Sequence, residues 1–351
     1  MQRIEIDGSL GEGGGQILRT ALSLAAIYRK SVRIYNIRAG REQPGLRPQH
    51  LQAVLAVSKI SGGSVRGANI GSTEIEFSSE KSLPKSYTGI LDTGTAGSIT
   101  LIAQTVVPIS IFGHVDLSVE IRGGTEVPNS PTIDYLSELV VPVYRKLGAN
   151  LELKLKRRGY YPEGGGSVTL NCSRVFDPLP IDFTPQEKLF TNILSASRLL
   201  PPHVVARQAE RAEKILKVQN VKIGNVVTDT EGDSLSPGSS ILVYRRGDST
   251  FVGASSLGER GKKAEVVGEE ASRNFLNGTK FVPSVDPHMA DMLVTLLSCV
   301  PGKSVFKTSI LTDHFLTNCE IAKRLIDCEI RTEKTEELWH VEVVGSPEKP
   351  N

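Results

Sequence analysis

HLQAVLAVSKISGGSVRGANIGSTEIEF (residues 50–77), YLSELVVPVYRKLGANLELKLKRRGYYPEGGGSVTL (135–170) and NCEIAKRLIDCEIRTEKTEELWHVEVV (318–344) carry one pattern three times. In each, apolar residues recur at three- and four-residue steps, a small or turn-forming cluster ends that run, and alternating residues follow, which predicts a helix and then strands. From Gly62 to Gly148 there are 86 positions, and from Gly148 to Asp327, at the comparable turn, there are 179. One more repeat of 86 leaves 93 residues over, the size of a small inserted domain. A second series precedes these helices. GGGQILRTALSLAAIYRKSVRIYNIR from Gly13, AGSITLIAQTVVPISIFGHVDLSVEIR from Ala96 and MADMLVTLLSCVPGKSVFKTS from Met289 each read as a buried helix, a short turn and a strand.

The expected fold class is therefore α+β: three βαβαββ repeats with a small α/β domain inserted in the third. Sheets with their helices on one face, packed together through those helices, let three such units share a core. Residues 1–180 and 283–345 are assigned to the three-repeat domain and 181–282 to the insertion. Within the insertion the pattern shifts to a polar amphipathic helix (Val204 to Val218), a Gly/Ser-rich turn (Gly232 to Ser240), strands near Ile241 to Tyr244 and Phe251 to Ala254, and a last helix from Lys262 to Leu276.

Composition narrows the function. In 351 residues, 41 Lys plus Arg face 39 Asp plus Glu, and a net charge of +2 excludes the bulk attraction of a nucleic-acid-packaging protein. Any nucleic-acid contact must be local. Cys172, Cys299, Cys319 and Cys328 form no C-x-x-C pair, so neither a zinc knuckle nor a disulfide scaffold is expected, and a reducing cytoplasm fits. The alternating start (Arg3, Ile4, Glu5, Ile6, Asp7) is unlike an export signal, and no apolar run is long enough for a membrane span.

Familiar nucleotide signatures fail on inspection. PGKS at 301–304 has Leu297 where a Walker A loop needs glycine; GEGGGQ places Gln16 where the third glycine of G-x-G-x-x-G belongs; K-x-D-G is absent. Other features suit phosphate better. Gly11, Gly13, Gly14 and Gly15 immediately precede a helix, where bare amides bind anions, while Glu12 and Gln16 flank them and Arg19 follows one turn later. A carboxylate beside such a nest suits a hard divalent cation bridging phosphate oxygens. The cluster Gly164, Gly165, Gly166 reads as a tight turn. In NIRAGREQPGLRPQH (36–50), Arg38, Arg41, Arg47, Gln49 and His50 sit on a loop stiffened by Pro44, Gly45 and Pro48, and guanidinium forks clasp terminal phosphates. Among the histidines, His114, His203 and His340 read as structural. His288 opens a helix, and His314 stands in TDHFLTN just after a strand, where loops carry chemistry.

GEGGGQILRTALSL, IRAGREQPGLRPQHL, GTAGSITLIAQTVVP, GGTEVPNSPTIDY, YYPEGGG and HFLTN, in this order, resemble the RNA 3′-terminal phosphate cyclase family along nearly the whole chain. That resemblance implies three repeats like the C-terminal domain of translation initiation factor 3, with a small domain inserted before the last. It implies that His314, in the H-x-x-T-N pattern completed by Thr317 and Asn318, is the nucleophile that carries AMP. It places the adenine nucleotide at Gln104, Pro131 and the segment His288, Met289, Ala290, Asp291, Met292, the metal at Glu12, and the phosphates and RNA end at Arg19, Arg38, Arg41, Gln49 and His50. The bacterial pattern Tyr-Leu-Ala-Asp-Gln differs from His288 to Met292, so a hydrogen bond from that glutamine has no counterpart here.

The implied reaction uses ATP, with Mg²⁺ or Mn²⁺, to turn RNA 3′-phosphate ends into 2′,3′-cyclic phosphates through histidine–AMP and RNA(3′)pp(5′)A intermediates. A catalytically inactive cyclase-like ribosome-assembly factor is the alternative. An enolpyruvyl transferase, which uses related repeats without ATP, is a further one. The sequence leaves the oligomeric state open, a homodimer included.

Overall fold

The computed structural model describes residues 3–79, 82–185 and 189–348, in an α+β arrangement of four small mixed sheets. The first sheet is built from β1 (Ile4–Asp7), helix α1 (Gly15–Ile27), β2 (Val32–Tyr35), helix α2 (Pro48–Ser61), β3 (Ser64–Arg66) and β4 (Ile75–Ser78). Its strand order is β1-β2-β4-β3, with β1 and β2 parallel and the rest antiparallel. The second follows the same course: β5 (Ser86–Asp92), helix α3 (Ile99–Gly113), β6 (Asp116–Gly123), a helix running from α4 (Ile133–Tyr135) through a π turn (Leu136–Val140) into α5 (Val141–Lys146), then β7 (Asn150–Arg157) and β8 (Gly166–Ser173). Its order is β5-β6-β8-β7.

The third sheet is interrupted in sequence. It starts with the two-residue strand β9 (Asp182–Phe183); the chain then departs to build the fourth sheet from β10 (Thr191–Arg198), helix α6 (His203–Val218), β11 (Ile223–Asp229), β12 (Gly238–Arg246), β13 (Phe251–Leu257) and helix α7 (Ala264–Thr279). It returns through helix α8 (Pro287–Leu297), β14 (Gly302–Thr308), helix α9 (Asp313–Leu325), β15 (Glu329–Thr335) and β16 (Leu338–Gly345). The third order is β15-β16-β14-β9 and the fourth β11-β10-β12-β13. Asp182 and Phe183 pair with Val305 and Phe306, so the two residues just after Ile181 belong to the third sheet. A strand of two residues leaves no alternation to read.

Helix-to-helix packing positions the site. α1 touches α2, α3 and α9, and α8 touches α9, so one core runs through Leu18, Leu22, Ile102, Val106, Leu293 and Phe315. Every residue of α1 from Thr20 to Ile27 is buried, as a helix packed on several sides requires. A separate core of Ile193, Leu216, Ile241, Val252, Val267 and Phe275 lies under α6 and α7. The opposite face of that fourth sheet gives Leu242 and Phe251 to the main core, with Phe251 tilted against Phe183 at 5.1 Å between ring centroids. Among the described residues, no helix is long and apolar enough to cross a membrane. The Gly302–Thr308 stretch that contains most of PGKS is a strand, and Gly164 and Gly165 have the positive φ (71° and 68°) of a tight turn.

Candidate active site

Four elements bring the site together: the glycine turn before α1, the arginine loop before α2, the start of α8 and the start of α9. Gly11 and Gly13 hold left-handed φ values of 54° and 58°, and Gly14 opens α1 with no side chain capping it. Close approach calls for glycine at Gly11 and Gly15. A β-carbon at Gly11 would strike the Thr317 hydroxyl; one at Gly14 would reach Arg41 and His314; one at Gly15 would strike His50 and press on Arg19. The uncapped helix end is thus ringed by the groups that the sequence singled out, in an arrangement that attracts an anion.

His314 is the second residue of α9, half-exposed, behind the N-cap Thr312, whose hydroxyl accepts from the Phe315 N–H at 3.0 Å. Its Nε2 lies 3.7 Å from Glu12 Oε2, and the same carboxylate oxygen lies 3.4 Å from Arg41 Nη2. Burial lowers the His314 pKa; Glu12 opposes this, while Arg19, His288 and Arg41 add to it. The ring is therefore uncharged at neutral pH, with a lone pair available for attack.

The remaining letters of H-x-x-T-N hold this helix in place. Thr317 donates to the Asp313 carbonyl at 2.6 Å and abuts Gly11. Asn318, fully buried, donates to the Asp291 carbonyl at 2.7 Å and accepts from Thr20 Oγ1 at 2.7 Å and Gln16 Nε2 at 3.3 Å. One amide thereby fastens α9 to both α8 and α1. Asp291 in turn accepts from the Thr312 hydroxyl at 2.6 Å, and burial, with Asp286 and Glu12 nearby, pushes its carboxyl up to about 7.

Arg19 has no carboxylate within ion-pair distance among the described residues, and its Nε is buried without a partner. Its Nη2 donates to Gln16 Oε1, and burial lowers its pKa to about 10, so it stays charged. It lines two adjoining cavities. One is also lined by Gln16, Gln104, Met292 and Thr295. Gln104 Nε2 and Thr295 Oγ1 are, like Arg19 Nε, buried without hydrogen-bond partners among the described residues. Three orphaned polar atoms around one cavity mark a place built for a polar guest.

The other cavity adjoins Gly15, Gln49 and His50. His50 is pushed down to about 4 by burial and by Arg19, Arg38 and Arg47, and its Nδ1 accepts from the Arg47 N–H at 3.3 Å. The neutral ring must then carry its proton on Nε2, aimed at the start of α1.

Other expected residues are placed less directly. Arg38, at φ 54°, spends Nη1 on the carbonyls of Gln43 (2.8 Å) and Gly45 (3.2 Å), bracing its own loop. Pro131 accepts from the Thr100 hydroxyl at 2.8 Å, one turn before Gln104, but does not line the cavity. On α8, His288 is exposed and Met292 lines the cavity, whereas Met289 and Ala290 are buried in the core with 1% and 0% exposure. Helical rotation of 100° per residue does not let five consecutive side chains share one pocket. Thr20, Thr295 and Asp286 escaped the sequence reading. Asp286 had a signal, an Asp immediately before Pro287, the signature of a capped helix start. Among the described residues, no group of three or more His, Cys, Asp or Glu could hold a metal ion.

Comparison with known proteins gives one family. The family model described as RNA 3′-terminal phosphate cyclase matches residues 10–332. A protein of that name from Ignicoccus hospitalis is 43% identical over 351 aligned positions, covering 95% of this chain and 96% of its own. One from Saccharolobus islandicus is 45% identical (93% and 95%), and one from Staphylothermus marinus 42% identical (92% of each).

Proposed function

The chain belongs to the RNA 3′-terminal phosphate cyclase family and is an enzyme; from that premise we propose that it uses ATP to close RNA 3′-phosphate ends into 2′,3′-cyclic phosphates, carrying AMP on His314. The observation behind this reading is the neutral His314 imidazole beside the glycine-lined start of α1, its Nε2 at 3.7 Å and Arg41 Nη2 at 3.4 Å from the same Glu12 carboxylate oxygen. A scaffold protein has no use for such a group, and the names of the relatives do not favour the inactive alternative.

In the first step His314 Nε2 attacks the α-phosphorus of ATP, the N–P bond forms and the P–O bond to the β-phosphate breaks, expelling pyrophosphate. In the second an oxygen of the RNA 3′-phosphate attacks that phosphorus, the N–P bond breaks, and His314 returns to its free form. In the third the vicinal 2′-hydroxyl attacks the RNA phosphorus, gives its proton to solvent, and releases AMP. Arg19, the Nε2–H of His50, Gln49, Arg41 and Arg38 receive phosphate oxygens. Gln104, Pro131 and the α8 turn from His288 to Met292 receive the adenosine, through backbone at Met289 and Ala290. Glu12 is a single carboxylate, which fits Mg²⁺ or Mn²⁺ taking most of its ligands from phosphates, and such an ion would offset their charge.

We read the three like-ordered sheets as three repeats and the stretch from β10 through α7 as the inserted unit, in a cytoplasmic enzyme whose four cysteines stay free. An RNA oligonucleotide with a 3′-phosphate, incubated with ATP, should become resistant to phosphatase while pyrophosphate and AMP accumulate. A 3′-end still open to phosphatase would count against the assignment.

A further inference from the structure

Strand β13 of the fourth sheet touches both the start of α8 and the residue after Pro131. Val252 and Ala254 face that sheet's own core, so the alternate residues Phe251, Gly253 and Ser255 face the main body. Gly253 N–H donates to Asp286 Oδ2 at 2.9 Å, and Ser255 Oγ lies 3.1 Å from Thr132 Oγ1, next to Pro131. The approach is close. A β-carbon on Gly253 would stand 2.6 Å from Leu139 Cδ1, so a side chain there would require Leu139 to shift.

Asp286 is the junction. It is 3% exposed, caps α8 by accepting from the Met289 N–H at 3.0 Å, and takes the Tyr135 hydroxyl at 2.9 Å on both oxygens. The chain before it is stitched on two sides: Phe251 N–H donates to the Ser284 carbonyl at 2.7 Å, and the Ser284 hydroxyl exchanges bonds with Lys307 at 3.0 and 2.7 Å. No Lys or Arg pairs with this carboxylate among the described residues. A buried acid satisfied wholly by neutral donors from three elements fixes geometry better than it adds stability.

We propose that Asp286 is a positioning residue for the adenine-nucleotide pocket, and that through Gly253 and Ser255 the fourth sheet sets the spacing between Pro131 and the His288–Met292 turn. This rests on the nucleotide reading given above. The inserted unit then governs affinity for the nucleotide and not for the RNA end, whose arginine loop and glycine turn lie on the first sheet's side of the site.

The test uses the full chain and titrates an α,β-methylene analogue of ATP, which cannot be cleaved at the α-phosphorus, against wild type, Asp286→Asn and Ser255→Ala. Binding of a 3′-phosphorylated RNA is measured in parallel. Asp286→Asn sets an amide donor against the Gly253 N–H, and one unsatisfied buried donor should weaken analogue binding by about tenfold. Ser255→Ala should weaken it about threefold, the scale of one neutral hydrogen bond lost. RNA binding should hold in both. Unchanged analogue binding in both variants, or analogue and RNA binding falling together, overturns the proposal. Should Asp286→Asn fail to fold, Ser255→Ala decides alone. If wild type itself does not bind the analogue, the nucleotide reading falls first and this inference with it.

Discussion

Asn318 offers the sharpest test of how the site is held. Its amide replaces water for three partners at once: it donates to the Asp291 carbonyl at 2.7 Å and accepts from Thr20 Oγ1 at 2.7 Å and Gln16 Nε2 at 3.3 Å, at zero exposure. In Asn318→Ala, Gln16 Nε2 keeps its bond to Thr20, but the Thr20 proton loses its acceptor and the Asp291 carbonyl loses its side-chain donor. Two such losses at about 1 kcal/mol each, plus about 1 kcal/mol for the void, give roughly 3 kcal/mol. In a chain of this size that lowers Tm by roughly 4 °C. Asn318→Asp keeps the volume and turns the donor into an oxygen facing a carbonyl, so it should cost at least as much above neutral pH. Because Asn318 lies one turn from His314, self-adenylation should fall by about tenfold or more at temperatures where the variant is fully folded. Differential scanning calorimetry and an AMP-labelling time course read the two effects. A Tm within about 1 °C of wild type, together with normal labelling, would refute the idea that this amide fastens α9 to α1 and α8.

Three more outcomes are expected. Arg41→Ala should spare self-adenylation more than AMP transfer to RNA, read by separate half-reaction assays; equal losses would assign Arg41 to ATP. Self-adenylation requires uncharged His314, whose pKa is held below 6.5, so the rate should be flat above neutrality and fall only on the acid side of 6.5; a fall already at pH 7.5 would mean that the ring is charged in the working enzyme. Asp291, raised to about 7, is the group whose burial costs nothing below pH 3.8 and destabilises the fold progressively as pH rises through 7. Asp291→Asn keeps the acceptor for Thr312, so it should raise Tm at pH 8 and leave it unchanged near pH 4; an equal shift at both values would mean that ionisation is not the cause.

What the sequence could report depended on whether a residue's reason for being there is local. The glycine turn announces itself because positive φ and close approach admit few other residues, and the arginine loop because charges flanked by Pro44, Gly45 and Pro48 are rare on a stiff segment. Helices α1, α3 and α9 were legible from their spacing, as was the amphipathic α6. The Thr20–Asn318 and Gln16–Asn318 bonds were not, because they join helices some 300 residues apart, and Thr295 was not, because nothing local distinguishes a threonine that packs from one that faces a cavity. Arg38 reads as a phosphate ligand beside Arg41, and only the structure shows that its Nη1 also braces the loop through the Gln43 and Gly45 carbonyls. Met289 and Ala290 came with a contiguous motif, and only the helix rotation separates the residues facing the core from those facing the pocket.

Incubation of the full chain with α-labelled ATP and a divalent cation, followed by peptide mapping, tests the central claim most directly. The account predicts one acid-labile, alkali-stable adenylate on the peptide containing His314, absent from His314→Asn, a variant whose polar side chain leaves the half-exposed site folded. Label retained in that variant, or mapped to any other residue, would contradict it.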